Sequence, residues 1–302
     1  MKIAYFGLPL GALLLDHDGH ELVLVALSRL DAVGLRRARC RFGTRLLERP
    51  RADDPVLEER VRGSGAELLV SWFWTTRLPM KLVEICPLGG VGVHPSLLPR
   101  HRGPDPYFWA IDAGDEVVGV TAHRIAATYD TGAILGQRTL PLDPGWNAWQ
   151  LARALDRPSL KLLREVVGDF AQGRPPAEQI QDEGAATEAP VPDDRMAELD
   201  FRWPVERLVR RVRALAPTPG AFFVLEDHLV TVLEARPALS YPRVLLPGEA
   251  AVVDGVAVVR AADGALALIR GEVDGEPLNR AGLAALVASA SVRAGENGVS
   301  VL

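Results

Sequence analysis

The apolar residues of the chain fall into short runs that alternate with amphipathic stretches. A first short apolar run ends at Gly7 and turns into a helix, and Glu21–Leu27 is continuously apolar, as in a parallel sheet buried on both faces. Further strands are predicted at Glu67–Phe73 and Gly90–Val93. The intervening stretches predict helices, of which Asn147–Gly168 is the longest. This alternation predicts an α/β fold with a doubly wound, mostly parallel, Rossmann-like sheet.

The last third of the chain has a different pattern. Short strands separated by turn signals at Gly248, Asp254-Gly255 and Asp263-Gly264 predict a small β-barrel of the OB-like kind. The segment 173–199 is rich in Pro, Glu, Ala and Asp and is interpreted as a linker. The predicted organisation is therefore a catalytic domain over 1–172, the linker over 173–199 and a barrel domain over 200–302.

Composition narrows the class of protein. A length of 302 residues with 48% hydrophobic and 24% charged residues is ordinary for a globular protein of two domains. No apolar run reaches the roughly 18 residues of a membrane span. Two cysteines, Cys40 and Cys86, fit a reducing cytoplasm, and no Cys/His cluster has the spacing of a metal site. The net charge of −5 argues against a nucleic-acid partner. We expect a cytoplasmic protein without a metal and without a membrane contact.

The stretch 90–106 carries the strongest chemical signal. A short apolar strand is followed at once by His94, and the loop beyond it is stiffened by prolines. A histidine at the end of a buried strand, held by a rigid loop, is where an α/β enzyme places a general base. His123, in contrast, lies inside a predicted strand, and its interpretation is a buried structural histidine.

Two motifs in this region resemble the folate-dependent formyltransferases, the group of methionyl-tRNA formyltransferase, glycinamide ribonucleotide transformylase and the sugar N-formyltransferases. That family carries Asn-x-His-x-Ser-Leu-Leu-Pro and then a basic residue and Arg/Lys-Gly, followed later by Asp-Thr/Ala-Gly. The residues that fit are His94, Ser96, Leu97, Leu98, Pro99, Arg102, Gly103 and Asp130-Thr131-Gly132. Near residue 200, Asp200-Phe-Arg-Trp-Pro204 also resembles the family's C-terminal domain. One position departs: the family's catalytic asparagine is replaced by Gly92.

The resemblance implies a one-carbon transferase. A formyl group would move from 10-formyltetrahydrofolate, or a related one-carbon tetrahydrofolate, to an amine of a small-molecule, sugar or peptide-like acceptor. His94 would act as general base and oxyanion stabiliser, and Asp130 would orient and tune it. The residues predicted to bind the folate are Trp74, Arg77, Leu78, Ser96, Leu98, Pro99, Ala127 and Tyr129.

Gly92 leaves the reaction itself open. Removing one hydrogen-bond donor from an oxyanion site costs about 10²–10³ in rate. A donor from Ser71, Thr75 or the acceptor would restore it. Formimidoyl transfer, or hydrolysis of 10-formyltetrahydrofolate, on the same site is an alternative, and so is a catalytically dead folate-binding protein. Methionyl-tRNA is a further alternative acceptor, disfavoured by the net charge and by the short arginine-rich stretch 29–51.

Overall fold

The computed structural model describes residues 1–294 and 299–300, with side chains as far as residue 290. The described chain forms two compact units. The first contains residues 1–106, 117–141 and 153–190. The second contains residues 107–116, 142–152 and the chain from 191 onward. Six residues of the predicted barrel domain, 295–298 and 301–302, lie outside the described residues.

The first unit is built on a seven-stranded sheet with the order β3-β2-β1-β4-β5-β6-β7. The first five strands of this order pair in parallel, and β6 and β7 pair antiparallel. The elements as far as residue 171 are β1 (Lys2–Gly7), α1 (Pro9–His17), β2 (Glu21–Leu27), α2 (Leu35–Phe42), β3 (Leu46–Glu48), α3 (Pro55–Ser64), β4 (Leu68–Trp72), α4 (Met80–Val83), β5 (Gly90–His94), α5 (Pro106–Ala113), β6 (Val117–Arg124), β7 (Ile134–Pro141) and α6 (Ala148–Ala171). The predicted doubly wound, mostly parallel sheet is confirmed.

The core of this sheet follows from its apolar strands. Every residue of β1 except the first is buried, and the residues of β2 are buried from Leu24 onward. Phe6, Leu69 and Leu82 pack in one apolar cluster on a face of the sheet. The order of strands reverses at β1, which lies between β2 and β4. In open α/β sheets ligands bind at the carboxyl ends of the strands near such a reversal, and His94 is the last residue of β5.

The second unit contains an antiparallel sheet with the order β14-β10-β11-β12-β9-β8, to which β13 is added at β12. This sheet curls into a half-barrel, which agrees with the predicted small β-barrel fold. A buried ion pair of 2.7 Å joins Asp112 to Arg211 within this unit. The remaining elements are α7 (Asp194–Ala197), α8 (Val205–Leu215), β8 (Ala221–Leu225), β9 (His228–Pro237), β10 (Glu249–Val253), β11 (Val256–Arg260), β12 (Ala265–Val273), β13 (Glu276–Asn279), α9 (Arg280–Ala294) and β14 (Val299–Ser300).

Part of the segment 173–199 adds structure to the first unit. Gln179 pairs with Ile134 through two backbone hydrogen bonds, and Glu188 bridges to Arg102. Short 3-10 turns lie at Gly43–Arg45 and at Glu183–Ala185. Over the residues that the structure describes, no helix has the length and apolar character needed to cross a membrane.

Candidate active site

His94 is held in place at both of its sides. It is the last residue of β5, and its side chain is buried. The ring Nε2 lies 2.8 Å from the carbonyl oxygen of His101, so Nε2 carries a hydrogen and donates it. The loop therefore folds back on the residue that precedes it. A ring fixed in this way presents only Nδ1 to other groups.

The loop after His94 is tied to β6 by one threonine. The buried hydroxyl of Thr121 donates to the carbonyl of Ser96 (2.7 Å) and accepts from the amide of Leu98 (3.0 Å). The side chain of Gln137 donates to the carbonyl of Leu98 at 2.9 Å. Buried backbone groups need such partners, so a rigid loop follows from these side chains together with the prolines.

Asp130 lies in the turn between β6 and β7, in a left-handed backbone conformation with φ 56°. The next glycine allows this turn to close, because a Cβ on Gly132 would lie 1.8 Å from the carbonyl oxygen of Arg124. The amide of Gly103 donates to the Oδ2 atom of Asp130 at 2.9 Å. Gly103 belongs to the first sequence motif and Asp130 to the second. One hydrogen bond therefore joins the two motifs in space.

A cluster of two histidines and one carboxylate is the chemical centre of the site. The Nδ1 atom of His94 lies 3.4 Å from Oδ2 of Asp130, and the Nε2 atom of His123 lies 3.5 Å from Oδ1 of the same carboxylate. All three side chains are largely shielded from solvent. Such a cluster can hold, orient and exchange protons in a site that excludes most water.

The ring of His123 is also fixed. Its Nδ1 atom donates to the carbonyl oxygen of Arg124 at 2.8 Å, so its Nε2 atom faces Asp130. Burial is the largest influence on this group and lowers the pKa of His123, the charge on Asp130 opposes that effect, and the nearby His94 adds to it. The sequence interpretation of His123 as a buried residue agrees with this environment, but its proximity to Asp130 was not predicted.

Gly92 faces His123 across the sheet. The two are direct partners in the antiparallel pairing of β5 with β6, and Ser71 is the partner of Gly92 on β4. A Cβ on Gly92 would lie 3.4 Å from Nε2 of His123 and 3.8 Å from a side-chain carbon of Ile125. The polar atom nearest to the position of a Cβ on Gly92 therefore belongs to His123. Thr75, which the sequence suggested as a replacement donor, is exposed.

A group of residues in the segment 179–189 supports the turn of Asp130 and was not predicted from the sequence. The side-chain amide of Gln181 donates to the carbonyls of Asp130 and Gly132, at 2.7 Å each. Its oxygen accepts from the guanidinium of Arg102, which also pairs with Glu183 at 2.7 Å. The composition of this segment is typical of a linker, so it gave no sign that these residues pack against the site. The available signal was Arg102 itself, because a motif arginine beside a buried loop needs an acceptor.

Several of the residues predicted to bind the folate lie in two segments, the one after β4 and the loop after β6. Leu78 is buried in the apolar cluster, and Trp74 and Ile125 pack against that cluster. Arg77 donates to the carbonyl of Ala127 at 3.4 Å, which connects the segment after β4 with the loop after β6. The indole Nε1 of Trp74 is buried and has no hydrogen-bond partner within the part of the chain that the structure describes. A buried N–H without a partner, beside apolar side chains, suits a flat heterocycle that carries hydrogen-bond acceptors at its edge.

The other predicted folate residues differ in how they are placed. Ser96 and Leu98 are buried, and their backbone groups already bond to Thr121 and Gln137. Pro99 is half-buried, and Tyr129 is exposed beside Asp130. Their assignment to the folate stays a prediction.

Comparison with protein families gives matches over both halves of the chain. A model described as "Formyl transferase" matches residues 21–167. A model described as "Formyl transferase, C-terminal domain" matches residues 193–281. A methionyl-tRNA formyltransferase from Herpetosiphon aurantiacus is 31% identical over 282 residues, which cover 89% of this chain and 92% of the relative.

Solved structures agree with the fold. HypX from Aquifex aeolicus, solved in complex with tetrahydrofolic acid, matches with a TM-score of 0.66 and 18% identity. The match covers 96% of this chain, but only 47% of the HypX chain, so the present chain spans about half of that protein. WlaRD, a sugar 3N-formyl transferase, matches with a TM-score of 0.67 and 13% identity over 89% of this chain and 97% of that one.

Proposed function

We propose, from the premise that this chain belongs to the formyl transferase family, that it moves a formyl group from 10-formyltetrahydrofolate to an amine. The observation that carries the proposal is the cluster of His94 and Asp130, in which the two family motifs meet through the hydrogen bond from Gly103. The folate is, in this proposal, the substrate that supplies the reactive carbonyl. The residues of the chain bind it, orient it and handle the protons.

His94 is the proposed base. The attacking amine must lose a proton, and the departing folate nitrogen must gain one. An imidazole can carry that proton from one nitrogen to the other, because its ordinary pKa lies near neutrality. The carboxylate of Asp130 lies 3.4 Å from Nδ1 of His94, where it can orient the ring. The carbonyl of His101 fixes the ring, so that the proton arrives at Nδ1.

The residues at the folate site are proposed to work by shape. Trp74 and Leu78 supply an apolar wall, and the orphaned indole N–H supplies one donor. Arg77 and Ala127 close the rim. This division places the binding energy away from the reacting atoms, where it can position the formyl group against His94.

Methionyl-tRNA is the acceptor that the relatives support best. The relatives from Herpetosiphon aurantiacus and Anaeromyxobacter dehalogenans are named for it, and the matches cover 92% and 95% of their lengths. These names oppose the expectation, drawn from net charge, that nucleic acid is not a partner.

A small amine is the second candidate acceptor. The specific observation is that several arginines of the stretch 29–51 already pair with carboxylates, which leaves fewer of them for phosphates. The pairs are Arg29 with Asp31, Arg39 with Glu48, Arg41 with Asp16 and Arg51 with Asp53. A sugar amine and a peptide-like amine both belong to this candidate, and a cytoplasmic location stays a prediction for either acceptor.

One matrix of reactions tests the proposal. The purified protein is mixed with 10-formyl-, 5-formyl- or 5-formiminotetrahydrofolate and with methionyl-tRNA, an amino-sugar nucleotide or no acceptor. Formylated product and released tetrahydrofolate are measured together. We expect formyl transfer from the 10-formyl compound to methionyl-tRNA. Release without an acceptor would instead identify a hydrolase, and transfer from only the 5-formimino compound a formimidoyltransferase. Absence of any turnover contradicts the proposal and leaves a binding protein.

A further inference from the structure

The space beside Gly92 contains a titratable group. In the motif that the chain resembles, an asparagine stands at this position, and here its side chain is absent. The nearest atom to a Cβ built on Gly92 is the Nε2 of His123, at 3.4 Å. The two residues are direct partners across β5 and β6. The imidazole therefore lies within contact distance of a side chain at position 92.

A local irregularity of the sheet accompanies this arrangement. The pairing of β6 with β7 shifts its register between Ala122 and His123. Such bulges change the direction in which a side chain points, and they recur beside active sites. His123 then bonds through Nδ1 to the carbonyl of Arg124, which directs Nε2 toward Asp130.

The hydrogen bonds of the two rings determine where each ring can accept a further proton. The distal nitrogens of both rings, Nε2 of His94 and Nδ1 of His123, already donate to backbone carbonyls. Each ring can therefore take a further proton only at the nitrogen that faces Asp130, and it becomes a cation when it does so. A protonated Nε2 of His123 is a hydrogen-bond donor, as a side-chain amide is.

We propose that His123 is a catalytic residue that replaces the missing amide at position 92, its protonated Nε2 donating to the formyl oxygen during transfer. This inference rests on the proposed function, since it concerns the same reaction. His94 and His123 would then divide the work on opposite sides of one carboxylate. His94 carries the proton between nitrogens, and His123 stabilises the oxygen.

The step balances without any further reactant. The lone pair of the amine forms the new N–C bond, and the π electrons of the formyl group move onto its oxygen, which accepts the hydrogen bond from His123. The electrons of that oxygen then re-form the carbonyl, and the bond between carbon and the folate nitrogen breaks. The proton lost by the amine passes through His94 to the folate nitrogen. The products are a formamide and tetrahydrofolate, and His123 keeps its proton.

A titratable donor makes turnover depend on pH in a way that an amide does not. The charged or titratable groups that face His123 are Asp130 from the β6–β7 turn and His94 from β5. Its neighbour Arg124 directs its guanidinium to Glu178 at 2.7 Å. Because burial lowers the pKa of His123, the donor form is lost as pH rises through that lowered value. Turnover should fall on this alkaline side.

Two substitutions at position 123 test the inference against pH. His123→Ala removes the donor and should lower kcat about 10²–10³-fold with little change in folate affinity. His123→Gln places an amide nitrogen near the position of Nε2, and that amide does not titrate. We expect His123→Gln to keep kcat within about tenfold of the parent and to lose the alkaline fall of the pH profile. Release of tetrahydrofolate is the readout for both, with the best acceptor from the reaction matrix.

A matched control and a restored motif complete the experiment. His228 forms a second His–carboxylate pair, with Asp274 at 2.8 Å, and His228→Gln should leave the pH profile unchanged. The double variant Gly92→Asn/His123→Ala recreates the asparagine with space for it, and should recover activity that His123→Ala loses. Thermal melting confirms that each variant is folded.

The outcomes separate the two proposals. A parent protein that releases no tetrahydrofolate in any reaction overturns the proposed function and this inference with it. An active parent whose His123→Ala variant keeps kcat and pH profile overturns the inference alone. If His123→Ala unfolds, His123→Gln decides, because an unchanged alkaline limb in that variant contradicts a titrating donor at Nε2.

Discussion

Two regions of the first unit differ in how firmly they are held. The centre of His94, Asp130 and His123 is buried, and backbone hydrogen bonds fix both rings and the turn between β6 and β7. The proposed folate rim after β4 and β6 is exposed at Arg77, and the hydrogen bond from Arg77 that connects its two segments is 3.4 Å long. The difference indicates that the chemistry is preorganised, whereas the rim can adapt to the molecule it binds.

The centre should fail most completely when one of its members is removed. His94→Ala removes the proposed proton carrier, and Asp130→Asn removes the negative charge 3.4 Å from its Nδ1 atom. Because general acid–base catalysis contributes about 10²–10⁴-fold, each variant should lose about that factor in kcat. Asparagine tolerates the left-handed conformation of residue 130, so the fold should persist. Release of tetrahydrofolate and thermal melting measure the two effects. Normal activity in either variant would contradict the assignment.

The support of the centre can be weakened without touching a reacting atom. Gln181→Leu removes the donor to the carbonyls of Asp130 and Gly132 and the acceptor for Arg102. Buried groups left without partners cost about 1–3 kcal/mol each, so we expect a loss of about 3 kcal/mol in the free energy of unfolding. Turnover should fall about tenfold with an unchanged KM for folate, because the turn is displaced.

Glu183→Gln is the control for this substitution. Glu183 pairs with the same arginine, but its side chain is 73% exposed. Exposed ion pairs contribute about 0–1 kcal/mol, so this variant should be nearly as stable and as active as the parent. Equal losses in both variants, measured by chemical denaturation, would show that Arg102 rather than the turn is responsible.

The rim is tested by two tryptophans with different partners. The indole N–H of Trp74 has no partner in the described chain, whereas that of Trp72 donates to Ser159 at 2.9 Å. Trp74→Phe should weaken binding of tetrahydrofolate about tenfold, the value of one hydrogen bond, and leave kcat unchanged. Trp72→Phe should lower stability and leave affinity unchanged. Calorimetric titration distinguishes the two, and equal affinities in both variants would remove Trp74 from the folate site.

The smallest expected effect is the pH dependence of stability that His123 contributes. Its pKa is lowered in the folded chain from an ordinary value of 6.5, chiefly by burial. The unfolded chain therefore binds more protons below that value, and stability falls as pH decreases through it. The contribution is fully present above pH 6.5. His123→Gln should flatten this part of the curve, and denaturation midpoints between pH 7 and pH 5 would measure the change. An identical slope in parent and variant would assign the dependence to other groups.

Much of the fold could be predicted from the alternation of apolar runs with amphipathic stretches along the chain. The strands at 21–27 and 90–93 follow from local apolar patterns, and the structure has them within one residue. The motifs likewise indicated His94 and Asp130. The partnership of Gly92 with His123 could not be derived, because the register of an antiparallel pair depends on both strands. Gln181 was missed because a polar, proline-rich stretch gives no local sign that it will pack.

The close approach of Gly92 and His123 constrains how the chain can change in evolution. A Cβ at position 92 would contact the imidazole at 3.4 Å, so the remaining atoms of an asparagine added there would have to pass beside the ring. Shortening His123 first leaves an empty space and no donor until position 92 changes. The order of changes at the two positions therefore matters, because a lineage keeps a donor throughout only if position 92 changes before His123 or together with it.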